Sequence, residues 1–135
     1  MSPEYVEIVR EHVDAFNRAD VEALMAICSD DVLFLPGRSA LQGGYRGEGG
    51  LRSFFADNAD TFEVITVRLD EFHDAGDRVV ASGHVRIRPL GGGPDTDTPL
   101  AVVYSFDGGK IVRVEDLRDR AAALQAVGLS EHLQE

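Results

Sequence analysis

The amino-acid sequence predicts one α+β domain over residues 1–135, with three helices, then long antiparallel strands, then a short closing helix. Two observations support this. Apolar residues recur at helical spacing as far as Phe62, and from Glu63 onward apolar and polar residues alternate, as in strands with one buried face. A chain of 135 residues is also long enough to bury one core without metals or disulfides.

Charge and composition exclude several classes of partner. The formal net charge of -11 opposes attraction to nucleic-acid phosphates and anionic lipids, so we expect neither nucleic acid nor membrane as a partner. No apolar run approaches the roughly 20 residues that cross a bilayer, and the first residues lack the pattern of a targeting segment. The one cysteine, Cys28, cannot form an internal disulfide, which favours a reduced, cytoplasmic setting.

Three amphipathic helices are predicted in the first half of the chain. The first starts at Ser2 and runs to about Asn17, the second follows Asp20 as its N-cap, and the third begins near Leu51. Their apolar stripes comprise Tyr5, Ile8, Val9, His12, Val13 and Phe16, then Val21, Leu24, Met25 and Cys28, then Leu51, Phe54, Phe55, Asn58, Ala59 and Phe62. A strand over 32–35 and a glycine-rich loop over 36–50, interpreted as a pocket rim, separate the second helix from the third.

An antiparallel meander is predicted after the third helix. Turns at 74–77 and 107–109 and a connection over 89–99 separate four strands, the last of which spans 110–118. On the second of these strands Val79, Ala81, Gly83, Val85 and Ile87 share one face, and Ser82, His84, Arg86 and Arg88 share the other. A closing helix over 120–127 follows, capped by Asp119 and stopped by Gly128.

Several phrases of the sequence resemble those of SnoaL-like proteins of the nuclear transport factor 2 superfamily, in the family's order and over nearly the whole chain. They are VDAFNRADVEAL at 13–24, SDDVLFLP at 29–36, GEGGLRSFF at 47–55, DAGDRVVASGHV at 74–85 and FDGGKIVRVEDLRDRAAAL at 106–124. The resemblance implies a cone-shaped half-barrel, in which a curved antiparallel sheet packs against the three N-terminal helices and encloses a small-molecule pocket.

The same resemblance implies a range of functions and an assembly. The fold of this superfamily occurs in ketosteroid isomerases, polyketide cyclases, limonene epoxide hydrolases and noncatalytic binding proteins. The function therefore has to be inferred from the individual site residues. It also implies a homodimer that pairs through the convex sheet face, which carries His84, Arg86 and Arg88.

His12 is the first candidate for site chemistry. Helical spacing places it on the buried stripe of the first helix, and the resemblance places it where ketosteroid isomerases have a tyrosine that hydrogen-bonds the developing enolate. A neutral histidine can donate such a bond or shuttle a proton. Alternatively, His12 is a core residue whose ring is hydrogen-bonded only to a backbone carbonyl or a water and has no role in function. The sequence leaves both interpretations open.

Asp116 and Arg118 are the second candidates. One face of the last strand carries Val112, Val114, Asp116 and Arg118, and its two valines favour an inward orientation. A buried carboxylate must be paired, hydrogen-bonded or raised in pKa, each of which suits a catalytic acid or base. The opposite phase, with Ile111 and Leu117 inward, would expose Asp116 and Arg118 to solvent, and we favour the inward phase.

Tyr104 and Asn58 complete the polar candidates. The Tyr104 hydroxyl could donate to a ligand carbonyl or oxyanion, or could simply satisfy one hydrogen bond within the core. Asn58 lies on the apolar stripe of the third helix. The predicted apolar wall consists of Val32, Phe34, Phe54, Phe55, Val112 and Val114. The sequence has no metal-ligand spacing and no phosphate-binding glycine motif after a strand, so we expect neither metal nor cofactor.

The sequence also departs from the enzymes that it resembles. Pro36 stands where ketosteroid isomerases have their base aspartate, and Val102 stands where they have an oxyanion aspartate. Gly83 and Val85 replace the arginine and aspartate of the epoxide hydrolases. Classical steroid isomerisation is therefore not expected.

A cofactor-independent isomerase, cyclase or hydrolase remains the favoured function. Asp116 would transfer the proton, His12 and Tyr104 would polarise an apolar carbonyl or cyclic substrate, and Arg118 would orient or counter Asp116. The alternative is a noncatalytic ligand-binding or dimeric interaction domain of the same fold.

Overall fold

The computed structural model describes residues 3–36, 44–117 and 119–128. Within these residues four helices and six strands confirm the α+β class and the order of elements predicted from the sequence. The elements are α1 (Pro3–Asn17), α2 (Val21–Ile27), β1 (Cys28–Leu35), β2 (Tyr45–Arg46), α3 (Gly47–Thr61), β3 (Phe62–Asp74), β4 (Arg78–Pro89), β5 (Thr96–Asp107), β6 (Lys110–Asp116) and α4 (Arg120–Ala126). No helix among the described residues has both the length and the apolar character needed to span a membrane.

The six strands form one curved, unclosed sheet in the order β2-β1-β6-β5-β4-β3. All neighbours in it are antiparallel except β1 and β6, which run parallel. The prediction of a wholly antiparallel sheet is therefore wrong at this pair. These two strands come from opposite ends of the chain, so no hairpin turn fixes their relative direction.

Gly83 and a bulge opposite it bend the long hairpin of β3 and β4. Leu69 pairs with Gly83 and Glu71 pairs with Ser82, so Asp70 is an extra residue on β3. A β-carbon at Gly83 would collide with the backbone carbonyl oxygen of Arg68, which is why this close approach requires glycine. Bulges increase twist and bend a strand, so the hairpin curves around the inner face of the sheet.

Helix α1 packs across the concave face and is held at both ends. Near its start, the Tyr5 ring stacks on Phe106 of β5, with ring centroids 4.0 Å apart. At its end, the Asn17 side-chain amide donates to the Val67 carbonyl and accepts from the Val67 N–H, both at 2.9 Å. Because β3 is an edge strand of the described sheet, this amide takes the place of a neighbouring strand at that residue.

Helix α4 covers one end of the convex face. Ala123 and Leu124, both fully buried, pack against a cluster of buried residues from β4 and β5, namely Val80, Ala101 and Val103. Arg120 donates two hydrogen bonds to the Glu71 carboxylate, at 3.0 and 2.8 Å, and this contact lowers the pKa of Glu71 to about 2. Arg86, farther along β4, is exposed, so the convex face has a covered apolar end and an open polar end.

Two boundaries in the first half of the chain differ from the sequence prediction. Strand β1 begins at Cys28 rather than at residue 32, and α3 begins at Gly47 rather than near Leu51. Strand β2, absent from the prediction, pairs Tyr45 with Phe34 of β1. Pairing with β1 gives backbone hydrogen-bond partners to a segment whose glycine-rich composition alone favours a loop.

Replacing Asn17 by alanine is expected to lower the free energy of unfolding by about 1–2 kcal/mol, because it removes two hydrogen bonds that each contribute on the order of 1 kcal/mol. Urea denaturation measures this change. Arg18→Ala is the matched control, because the neighbouring Arg18 makes exposed ion pairs with Asp14 and Asp20, which contribute less. Equal losses in the two variants would contradict the docking role of Asn17.

Candidate functional site

A cavity of about 190 Å³ lies between α1, α3 and the concave face of the sheet. Among the described residues, its polar lining consists of four side chains: His12, Asn58, Tyr104 and Asp116. The remainder of its wall is apolar and consists of Val13, Phe16, Phe34, Pro36, Phe54, Phe62, Ile65, Val67, Val85, Ile87, Leu100, Val102 and Val114. An apolar cavity with a few converging polar groups is the usual form of a small-molecule site.

His12 reaches this cavity from the buried face of α1 and is only 6% exposed. Its Nδ1 lies 3.2 Å from the Tyr104 hydroxyl oxygen, and the two rings meet edge to face. Burial lowers the pKa of His12 to about 4. The ring is therefore neutral at physiological pH, with one nitrogen protonated and the other able to accept a hydrogen bond.

Tyr104 faces His12 from the middle of β5, where it pairs with Val114 of β6. The residue is 2% exposed, and burial raises the pKa of its hydroxyl well above the ordinary value. Tyr104 therefore keeps its proton. The structure thus joins two residues that the sequence analysis had proposed separately, and it does so through a bond between neutral groups.

Asp116 lines the cavity from the end of β6, beside Val102 of β5. A bulge sets this orientation. Ser105 pairs with Arg113 while the next residue, Phe106, pairs with Ile111, which leaves Val112 as an extra residue. Ile111 and Val114 consequently both enter the same buried core cluster, although their spacing does not fit strict alternation.

Three of the described residues proposed for the site are not found at the cavity wall. Val32 is buried in the core cluster instead. Val112, the bulged residue, belongs neither to the cavity wall nor to a core cluster, so its assignment to the inward face is corrected. Phe55 supports the wall from behind, with its ring centroid 5.3 Å from that of Phe16, and does not line the cavity. Arg118 lies outside the described residues.

The remaining proposed residues, Phe34, Phe54, Asn58 and Val114, line the cavity. Several wall residues from the sheet were not predicted to be part of the wall: Phe62, Ile65, Val67, Val85, Ile87, Leu100 and Val102. The alternation of β3, β4 and β5 already placed most of these on apolar faces. Alternation identifies the face of a strand, but it does not distinguish wall residues such as Val85 from residues of the same face that pack in the core, such as Val79 and Ala81.

No metal-binding group emerges from the described residues, since no three His, Cys, Asp or Glu side chains among residues 3–36, 44–117 and 119–128 come together as ligands. Cys28 is buried behind the cavity, and burial raises the pKa of its thiol to about 12. A thiol with such a pKa carries very little thiolate and is a poor nucleophile. Among the described residues, the polar side chains at this cavity are therefore those of His12, Asn58, Tyr104 and Asp116.

Comparison with known proteins places these features in a family. The model of the SnoaL-like domain family matches residues 9–114. An uncharacterised protein of Mycobacterium tuberculosis is 28% identical, over 90% of this chain and 93% of its own length. Two solved structures are similar: an NTF2-like protein from Burkholderia thailandensis (30% identity, 93% and 98% coverage, TM-score 0.74) and a protein with a ketosteroid isomerase-like fold from Catenulispora acidiphila (20% identity, 96% and 95% coverage, TM-score 0.72).

The burial of neutral His12 predicts a pH dependence of stability. Its folded pKa of about 4 lies below the unfolded value of 6.5, so the unfolded state takes up a proton first as the pH falls. Above about pH 6.5 the His12 ring is neutral in both the folded and the unfolded state, so it does not lower the stability. As the pH falls from 6.5 toward 4, the unfolded state binds the proton preferentially and the free energy of unfolding decreases. On this basis the wild type loses roughly 3 kcal/mol more free energy of unfolding than His12→Gln between about pH 7 and pH 4. The measurement is urea denaturation of both proteins over this pH range. If the free energy of unfolding changed equally with pH in the wild type and in His12→Gln, a buried neutral His12 would be contradicted.

Proposed function

Because the chain belongs to the SnoaL-like domain family, we propose that its cavity is the active site of a cofactor-independent enzyme, which transfers a proton on an apolar carbonyl or cyclic small molecule. One observation carries the proposal. A carboxylate, Asp116, shares one largely apolar cavity with a hydrogen-bonded pair of neutral polar groups, His12 and Tyr104. This combination provides a proton acceptor and hydrogen-bond donors in the same enclosed space.

The cavity wall sets the class of substrate. Its apolar surface, with the rings of Phe16, Phe34 and Phe54, favours an uncharged and largely hydrocarbon ligand. The protein as a whole carries a net charge of -11, which disfavours the approach of an anionic substrate. A neutral ketone or cyclic compound of modest size satisfies both conditions.

Each polar residue has a distinct part in the proposed reaction. Asp116 takes a proton from the carbon next to the carbonyl group and acts as a general base within the cavity that it lines. The hydrogen-bonded pair of Tyr104 and His12 donates one hydrogen bond to the oxygen on which negative charge develops. Asn58 orients the ligand from α3, on the opposite side of the cavity from the sheet.

A noncatalytic ligand-binding domain is the second candidate. The hydrogen bond between His12 and Tyr104 favours this candidate, because each side chain has a hydrogen-bond partner even when no ligand is bound. Binding alone requires the shape and apolar wall of the cavity but no proton acceptor. The two candidates therefore differ in the consequence of neutralising Asp116.

Asp116→Asn is expected to abolish proton transfer while leaving the fold and ligand affinity nearly unchanged, because the amide keeps the shape of the carboxylate and cannot act as its base. A suitable assay follows exchange of the α-protons of 2-tetralone, a bicyclic ketone, in D2O by proton NMR. Asp107→Asn, at the exposed turn between β5 and β6, is the matched control and is expected to exchange like the wild type.

Asp116→Leu tests the same residue through stability. Residues at functional sites commonly cost stability, so the leucine variant is expected to remain folded while inactive. If Asp116→Asn exchanged the ketone protons as fast as the wild type, the chemistry would have to lie elsewhere. If wild-type exchange did not exceed the rate in buffer, the binding function would be favoured.

We also propose that two copies pair through the open, polar end of the convex face. His84 is half-buried there, and its Nδ1 atom is buried with no hydrogen-bond partner among the described residues. Such an atom is costly unless another molecule supplies a partner. Neighbouring side chains on this face, Arg68 with Asp97 and Arg86 with Asp95, form exposed ion pairs that suit a wet interface.

Sedimentation equilibrium at micromolar concentration is expected to give twice the chain mass of 14.7 kDa. Arg68→Glu places a like charge beside Asp97 on this face and is expected to weaken the dimer several-fold. Arg52→Glu, on the outer surface of α3, is a control that changes the net charge equally. A species of 14.7 kDa alone at these concentrations would refute the dimer.

A further inference from the structure

The hydrogen bond between His12 and Tyr104 has a property that neither residue has alone. The two neutral groups bring one exchangeable proton each, and their bond uses only one of the two. If the hydroxyl donates to Nδ1, the ring proton is on Nε2. If Nδ1–H donates to the hydroxyl oxygen, the hydroxyl proton is left over. In both arrangements the pair keeps one donor and one acceptor, and their positions are exchanged.

The unused donor and acceptor face the cavity. Both side chains line it, and among the described residues Tyr104 is the one hydrogen-bond partner of the His12 ring. The Nε2 atom is therefore left for a ligand or for a neighbouring wall group. Asp116 enters the same cavity two residues beyond Val114, the residue that pairs with Tyr104.

Burial restricts how protons can move through this pair. Both residues are almost completely enclosed, and an imidazolium or a tyrosinate there would lose most of its hydration. The shifts agree, because burial lowers the pKa of His12 and raises that of Tyr104. Proton transfer that leaves each group neutral avoids this cost.

We infer that His12 and Tyr104 act as one neutral proton relay, which converts a bound ketone to its neutral enol and back while the His12 ring changes tautomer. The inference rests on the proposed role of Asp116 as the base. The relay narrows the proposed substrate class to uncharged ketones with a hydrogen on the carbon next to the carbonyl group. The protein binds the enol of such a ketone as the neutral hydroxyl compound and not as the enolate.

The relay starts from the ketone complex in which Nδ1 of His12 is protonated. Asp116 takes the proton from the α-carbon, the C–H electron pair forms the C=C bond, and the carbonyl π pair moves to oxygen. That oxygen takes the Tyr104 hydroxyl proton, and Tyr104 takes the proton of Nδ1. Asp116 passes its proton to Nε2. The carboxylate is restored, the ligand is a neutral enol, and the ring is protonated on Nε2.

Histidine tautomers can be read directly by nitrogen NMR. The experiment uses full-length protein labelled with [15N]histidine at neutral pH, with the His12 signals identified by their loss in His12→Gln. Two matched bicyclic probes are added in turn: 2-tetralone, which carries a ketone oxygen, and 2-naphthol, which carries a hydroxyl group at the same place. His73 and His84, which do not line the cavity, serve as internal controls.

We expect the Nδ1–H tautomer of His12 with 2-tetralone and the Nε2–H tautomer with 2-naphthol. Tyr104→Phe is expected to remove this difference, because the ring then has no hydroxyl with which to exchange a proton. The same tautomer in both complexes, a doubly protonated ring, or no response of His12 to either probe would overturn the relay.

Exchange of the 2-tetralone α-protons separates the relay from the proposed function. The relay predicts that His12→Gln and Tyr104→Phe each slow exchange by about 10²-fold or more, and that the double variant is hardly slower than either, because the two residues act as a unit. Exchange that persists in Tyr104→Phe would defeat the relay and leave Asp116 as the base. If the His12 tautomer differed between the two complexes but the wild type did not exchange α-protons, the proposed function would be contradicted. The reversal of the hydrogen bond between His12 and Tyr104 would still be supported.

Discussion

Helix α1 lies across the concave face of the sheet because both of its ends are fixed, and the cavity depends on this position. The stacking of Tyr5 on Phe106 fixes the start, and the Asn17 amide on the edge strand fixes the end. Between these points the helix cannot collapse onto the sheet, since Phe16 already packs against Phe34 and Phe54. The aromatic contacts thus stabilise the core and at the same time keep a space open within it.

An open apolar space of this kind costs stability, as does each polar group that faces it. Cavities in cores are destabilising in proportion to their size, and a buried polar atom without a partner adds a further penalty. The bond between His12 and Tyr104 removes part of that penalty while both residues remain at the cavity wall. Open cavities with polar groups at their walls lower stability and are characteristic of functional sites, where a bound ligand supplies the missing contacts.

The sequence predicted much of this structure where local periodicity determines the outcome. Spacing alone put His12 on the buried stripe of α1, and alternation put Val85 and Ile87 of β4 on the cavity side. It could not predict the bulge at Val112, because nothing in the alternation of β6 marks an extra residue, and pairing with β5 decides the register. Nor could it predict the partner of His12, since Tyr104 lies 92 positions away and each pattern identifies a face rather than a contact.

The four polar residues of the cavity come from four different elements, and this explains why the family fold does not fix the reaction. His12 comes from α1, Asn58 from α3, Tyr104 from β5 and Asp116 from β6, and each can change without altering the others' backbone. Pro36 and Val102 also line the cavity, at the two places where the resemblance to ketosteroid isomerases would put carboxylates. In the described part of the wall, the carboxylate therefore comes from β6, as Asp116, in the same cavity as the neutral pair of His12 and Tyr104. The proposed transfer of protons between neutral groups rests on this arrangement, in which the described part of the cavity wall places one carboxylate beside two groups that burial keeps uncharged.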